Sequence, residues 1–146
     1  MKKGKYREAV FVVVYEKGKE GVKYLLFKRK KHWKGWEFCK GGIDKKESQR
    51  KTALREVKEE SGLKVLNIKK YKKSGKYLYQ KLLKDRPGII GQTYSLYSAE
   101  VGKGKVKLDK EHKEHSSYKW VSFEKAIEML EWPNQRACLR IVNRNI

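Results

Sequence analysis

Cysteine is nearly absent from this chain. Cys39 and Cys138 are the only two in 146 residues, too few for a disulfide framework, and neither has a partner at metal-site spacing. A disulfide-stapled secreted fold is thereby excluded, and a reducing cytoplasm with both thiols free is expected. Long hydrophobic runs are missing too. The run "AVFVVVY" from Ala9 to Tyr15 is about a third of the length a membrane helix needs. It follows basic residues as a signal peptide would, yet "EKGKEG" comes next with no small-residue cleavage pattern, so it reads as a buried strand. No membrane partner is expected. Internal repeats, low-complexity tracts and interdomain linkers are also lacking. With 38% hydrophobic residues the chain is expected to form one globular domain over residues 1–146 around one core.

Acidic residues are scarce: 17 Asp and Glu stand against 38 Lys and Arg, a formal net charge of +21. The basic residues come in short groups such as "KRKKHWK", "KKYKKSGKY" and "KGKVKLDK". Such a surface attracts nucleotides, nucleic acid or an acidic membrane face at long range, and it equally describes a Lys-rich solvated exterior. Charge alone leaves both readings open.

β-Branched and aromatic residues predict a strand over Tyr6–Tyr15, and "KGKEG" a hairpin turn into a second strand, "VKYLLFKRK". A loop leads to a short strand over Trp36–Phe38, after which the paired glycines of "CKGGID" are expected to break regular structure. A helical period runs from Glu47 to Glu60, with Ala53, Val57 and Leu54 facing inward, and Gly62 is its natural stop. Strands are predicted near Val65–Lys73, Tyr77–Leu83 and Thr93–Val101, separated by "KSGK" and "DRPGIIG". A further strand, "YKWVS", leads into a helix over "FEKAIEMLE" that Pro133 ends, and Asn134 is expected to cap the last helix. This order implies an α/β class, a mixed sheet with helices packed on it.

The few acids are concentrated in the first helix. Each helical residue advances about 100°, so Glu60 lies roughly 40° from Glu56, and Glu59 roughly 60° away on its other side. Three carboxylates on one face repel and raise one another's pKa, so something positive is expected there. Arg55, four residues before Glu59, supplies part of it, and Glu47 can also pair with this arginine. A salt-bridged, exposed helix face is one reading. Gly41 and Gly42, in the loop just before the helix, support another. Carboxylate oxygens, a backbone carbonyl and water are what Mg²⁺ or Mn²⁺ prefer, and such ions bridge to phosphates.

Gly41, five residues, Glu47, seven residues and then "REVKEESGL" from Arg55 to Leu63 resemble the Nudix box at every defined position, over 41–63. The resemblance implies a Nudix fold, an α/β/α sandwich with a central mixed sheet. It also implies a metal-dependent enzyme that hydrolyses a nucleoside diphosphate linked to another group. Carried over, it makes Glu56, Glu59 and Glu60 the ligands of Mg²⁺ or Mn²⁺, helped by the carbonyl of Gly41. Glu47, Arg55 and Gly62 are structural, and Glu56 is the box residue chosen to take the proton of the attacking water.

Outside the box the chain is most similar to the asymmetrically cleaving diadenosine tetraphosphate hydrolases, in "GWEFCKGGID" and "EHSSYKWVSFEKAIEML". Lys40-Gly41 matches a Lys-Gly pair that opens the box in that group. Glu114-His115 and Tyr118-Lys119-Trp120 match its C-terminal Glu-His pair and aromatic-basic-Trp segment. On that resemblance Glu114 is a fourth acidic group, brought by a loop to the metals. Lys40, His32 and His115 are phosphate contacts, Tyr118 stacks a base, and Tyr77, Tyr79 or Tyr94 supplies another platform. Cys39 stands where that group usually has proline, and Gly35 where a histidine often precedes the tryptophan. The run "WEFCKGGI" also resembles the RNA 5′-pyrophosphohydrolase branch, which a basic surface would suit. Nucleoside triphosphates are a further alternative substrate. A catalytically silent nucleotide-binding module predicts damaged box acids, and none is missing.

Overall fold

The computed structural model describes residues 4–30, 34–110 and 114–146. Its strands are β1 (Lys5–Gly18), β2 (Gly21–Arg29), β3 (Gly35–Glu37), β4 (Cys39–Gly42), β5 (Val65–Leu78), β6 (Ile89–Val101) and β7 (His115–Val121). Helix α1 (Gln49–Ser61) lies between β4 and β5, and α2 (Phe123–Met129) and α3 (Pro133–Arg144) follow β7. One sheet runs β3-β2-β1-β6-β5, with β4 paired to β1 and β7 to β2. β1 and β6 are parallel and the other pairings antiparallel, so the sheet is mixed, as expected.

The apolar run in β1 is continuous because both of its faces are covered. Val10, Val12 and Val14 pack with Ala53 and Val57 of α1. Phe11, Val13 and Tyr15 pack with Ala126 of α2 and with Cys138, Leu139 and Val142 of α3. Two cores flank one sheet, which makes the α/β/α sandwich. Among the described residues no helix is long and apolar enough to cross a membrane.

Several local expectations are corrected. The paired glycines do not break the chain: Cys39–Gly42 is a strand, in register Val12↔Cys39 to Ala9↔Gly42. Their role is clearance. A Cβ on Gly41 would overlap the Glu56 carboxyl, and one on Gly42 the Arg7 guanidinium. "KSGK" does not separate two strands either. β5 runs through it with a register shift between Lys70 and Ser74, and bare Gly75 leaves room for the Tyr94 ring. Tyr79–Leu83 falls outside the strand, and β6 begins at Ile89 rather than Thr93.

Helix α1 starts after Glu47, at Gln49, because Ser48 takes the N-cap and accepts from the Lys51 amide at 3.2 Å. Leu54 is only half-buried, and Thr52 is buried beside Ala53 and Val57. Gly62 ends the helix as expected, in the left-handed region at φ 71°, its amide donating to the Lys58 carbonyl at 2.8 Å. α2 stops before Pro133 acts, with Leu130 extended and bridged to Trp36. Pro133 opens α3 instead, and Trp132, not Asn134, occupies the cap without a side-chain bond.

Candidate active site

Arg55 organises the acidic half of α1. Its Nε and Nη2 donate to the two oxygens of Glu47, both at 2.9 Å. Nη1 donates to Glu56 at 3.0 Å and to Glu59 at 3.2 Å, and Nη2 also reaches the Gly42 carbonyl at 3.3 Å. One planar guanidinium thus ties the β4 end, the loop and the helix together, as a fork of fixed geometry does. Hydrogen bonds from Arg55 and Thr52 push the Glu47 carboxyl down to about 2. Gly41 lies directly beneath Glu56, where only a bare backbone leaves space.

Glu56, Glu59 and Glu60 do share one face, and it lines a cavity of about 280 Å³ together with Glu114, His115 and Arg7. Ligand atoms of Glu60, Glu114 and His115 all lie within 4.8 Å of one another. Glu60 is 4% exposed, and neither of its oxygens has a hydrogen-bond partner among the described residues. The Cys39 thiol beside it is at best a weak donor. Burial lifts the Glu56 carboxyl to about 7, with repulsion from Glu59 and Glu114 adding to it against the pull of Arg55. Glu60 is pushed well above the usual carboxylate range by burial, then by Glu56, Glu114 and Glu37. Oxygen donors that are buried, crowded and short of protons to accept suit a hard divalent cation. The residues fit a divalent metal ion.

A second layer was not foreseen. Glu37 is 1% exposed and is surrounded by nitrogen groups: Arg29 Nη1 at 3.1 Å, Lys40 Nζ at 3.3 Å and His115 Nε2 at 2.8 Å. Burial alone would raise the Glu37 carboxyl, but Lys40, His115 and Arg29 hold it well below its ordinary value. The same Arg29 nitrogen reaches Glu114 at 3.4 Å, so the buried pair fixes a residue at the acidic cavity. No periodicity separates Glu37 from other strand residues, and Arg29 is one more base in "KRKK". Only the adjacency of Glu37 to the box carried any signal.

Lys40, expected as a phosphate contact, is 7% exposed and paired with Glu37. It also lines a larger cavity, about 630 Å³, with Phe11, Tyr77, Tyr79 and Trp132. His115 is buried, its ring stacked on Phe27 at 4.7 Å, beside the carboxylates rather than in a basic loop. Tyr94 is a core residue, 5% exposed and stacked on Phe11 at 4.1 Å. Tyr118 is half-buried opposite Phe27 and packs with the α1-side core rather than lining either cavity. Tyr77 and Tyr79 line the larger cavity and meet edge to face at 6.2 Å. His32 lies outside the described residues. Arg7, also unforeseen, lines the acidic cavity with its guanidinium against Gly42, and burial, followed by Arg86, lowers its pKa against the pull of Tyr79, Glu114 and Glu56.

Comparison with known proteins agrees with this geometry. The family model for the NUDIX domain matches residues 5–140. An RNA pyrophosphohydrolase of a Nitratiruptor species is 31% identical over 127 residues, covering 84% of this chain and 82% of the relative. An RNA pyrophosphohydrolase of Campylobacter jejuni is 29% identical over 110 residues, covering 73% and 70%. The binary-complex structure of a C. elegans Ap4A hydrolase superposes with a TM-score of 0.74 at 22% identity, covering 94% of this chain and 96% of that one.

Proposed function

We propose, on the premise that this chain belongs to the NUDIX domain family, that it is a divalent-metal-dependent pyrophosphohydrolase of nucleoside polyphosphates whose preferred substrate is a dinucleoside tetraphosphate. The observation that carries the chemistry is Glu60, a buried carboxylate whose oxygens have no hydrogen-bond partner among the described residues beyond the weak Cys39 thiol, crowded by Glu56 and Glu114. In the proposed reading Glu56, Glu59, Glu60 and Glu114 hold Mg²⁺ or Mn²⁺, with the Gly41 carbonyl as a further ligand. When bound, the cation neutralises phosphate oxygens and eases attack of water at phosphorus. Glu56 accepts the proton of that water. Arg55 and Glu47 keep the helix and the β4 end in place, Arg29 and Glu37 orient Glu114 and His115, and Arg7 draws the polyphosphate in.

The substrate reading rests on the segment that delivers Glu114 and His115 to the cavity, which is the one resembling the tetraphosphate hydrolases. The larger, aromatic-lined cavity beside Lys40 supports a nucleoside end. A second reading, 5′-triphosphorylated RNA, is favoured by the names of the two sequence relatives and by the net charge of +21. Affinity for RNA would then come from phosphate neutralisation and fall steeply with salt.

The test is a panel with Mg²⁺ comparing kcat/KM for diadenosine tetraphosphate, ATP, ADP-ribose and 5′-triphosphorylated RNA. The tetraphosphate is expected to lead. An RNA advantage of more than about tenfold, a difference of about 1.4 kcal/mol in transition-state binding, would replace the first reading with the second. Binding of Mg²⁺ without turnover of any substrate would leave a silent binding module.

A further inference from the structure

Beside the carboxylates of the acidic cavity stands an imidazole. Ligand atoms of His115, Glu60 and Glu114 lie within 4.8 Å of one another, and His115 lines the cavity. The ring is fixed from two sides. It stacks on Phe27 with centroids 4.7 Å apart, and Nε2 lies 2.8 Å from Glu37 Oε2. Glu37 also meets Arg29 Nη1 at 3.1 Å and Lys40 Nζ at 3.3 Å. Two cations keep that carboxylate ionised, and an ionised carboxylate only accepts, so Nε2 carries the proton. The lone pair of the neutral ring is then on Nδ1, which has no hydrogen-bond partner among the described residues. Packing alone does not call for this arrangement, because a phenylalanine would stack on Phe27 without burying a carboxylate and two cations. An imidazole that gives one N–H to a carboxylate and keeps its other nitrogen free beside oxygen donors is arranged as a metal ligand whose tautomer is set from behind.

The neighbouring oxygens are available as well. Neither Glu60 oxygen has a hydrogen-bond partner among the described residues beyond the weak Cys39 thiol. Arg29 reaches Glu114 through Oε2, which leaves Oε1 open among the described residues. Carboxylates, a carbonyl and water by themselves suit hard Mg²⁺, whereas an imidazole nitrogen favours the borderline first-row ions. We propose that His115 Nδ1 is a ligand of the bound cation, completing with Glu60 and Glu114 a position of two carboxylates and one imidazole that favours Co²⁺ or Zn²⁺ over Mg²⁺. The proposal rests on the divalent-metal reading above and adds a nitrogen ligand from outside the 41–63 pattern, the residue that positions it, Glu37, and the class of ion it selects.

The test measures binding rather than turnover. Calorimetry on the full chain compares Co²⁺ with Mg²⁺, and Co²⁺ is expected to bind about 100-fold or more tightly. Because Co²⁺ exceeds Mg²⁺ at most protein sites, a variant decides the cause. His115→Gln, whose amide can still donate to Glu37, should weaken Co²⁺ binding about tenfold or more and change Mg²⁺ binding by less than about threefold. Proton NMR of the Co²⁺-loaded chain reads the bond itself, since the ring N–H of a cobalt-bound imidazole is shifted far outside the ordinary range. One such exchangeable signal is expected, and it should vanish in His115→Gln. The other two histidines of the chain are His32 and His112. In the double variant His32→Gln, His112→Gln the signal should persist, which keeps the test decisive if His115→Gln fails to fold. Loss of the signal in the double variant, or equal weakening of both ions by His115→Gln, overturns the proposal. If both ions bind the unaltered chain with no such signal, oxygen donors alone hold the cation and only this inference falls. If neither ion binds, the divalent-metal reading falls with it.

Discussion

Glu60 has nowhere to send its charge. It is buried, has no donor among the described residues stronger than the Cys39 thiol, and faces Glu56, Glu114 and Glu37. A chain without cation therefore carries an acid cluster that Arg55 and Arg29 compensate only in part, whereas a bound divalent ion would convert the same oxygens into ligands. For Glu60→Gln this gives opposite effects on two observables. In EDTA the melting temperature should rise by a few degrees, because one repelled carboxylate is gone. The upward shift that Mg²⁺ gives the unaltered chain should largely disappear, with kcat reduced about 10²–10³-fold. A Mg²⁺ shift as large as that of the unaltered protein would show that Glu60 holds no cation. Glu59 is the contrast: it shares the face but is exposed and bound to Arg55, so Glu60 is the sharper probe of the two.

At the scale of elements, α1 and β4 act as one device. The helix brings the carboxylates, and the glycine strand lets Glu56 and Arg7 lie against bare backbone. The helix was legible in advance because its period, its acidic face and its Gly62 stop are all local signals. β4 was not, since a Gly-Gly pair reads as a break until the groups packed on it are known. The N-terminus of α1 depends on Ser48, whose Oγ accepts from the Lys51 amide. Ser48→Ala should lower stability by about 1 kcal/mol, readable by denaturant titration. It should cost less in activity than in stability, because Arg55 still holds Glu47 through two hydrogen bonds. A loss of turnover like that of Glu60→Gln would mean that the cap positions the carboxylates directly.

For the whole molecule, these ionisations set a pH dependence. In the metal-free chain the folded Glu56 keeps its proton up to about 7, while the unfolded one releases it near 4.5. The folded state thus binds more protons in that window, and its stability falls as pH rises from about 4.5 to 7, by an amount on the order of 3 kcal/mol. Glu60 acts in the same direction. Glu37 and Glu47, held low, act oppositely and contribute stability above their unfolded pKa that is lost as pH falls. Melting temperatures in EDTA should therefore decline above about pH 5, and Mg²⁺ should flatten that decline. Identical slopes with and without Mg²⁺ would remove the cluster as the cause.

By itself the sequence determined what local order can encode. The apolar run of β1, the helical period of α1, its acidic face and the 41–63 pattern are short-range features whose spacing dictates which side chains share a face. The tertiary structure alone decided what meets across the chain. It set Glu114 and His115 against Glu60, wrapped Arg29, Lys40 and His115 around Glu37, buried Tyr94, and left the Asn134 and Gln135 oxygens in a cavity walled by residues from β1, β5 and the start of α3. Such contacts join positions far apart in the chain, and their energies depend on burial. A lysine in solvent and a lysine paired in a core are the same letter until the packing around them is known.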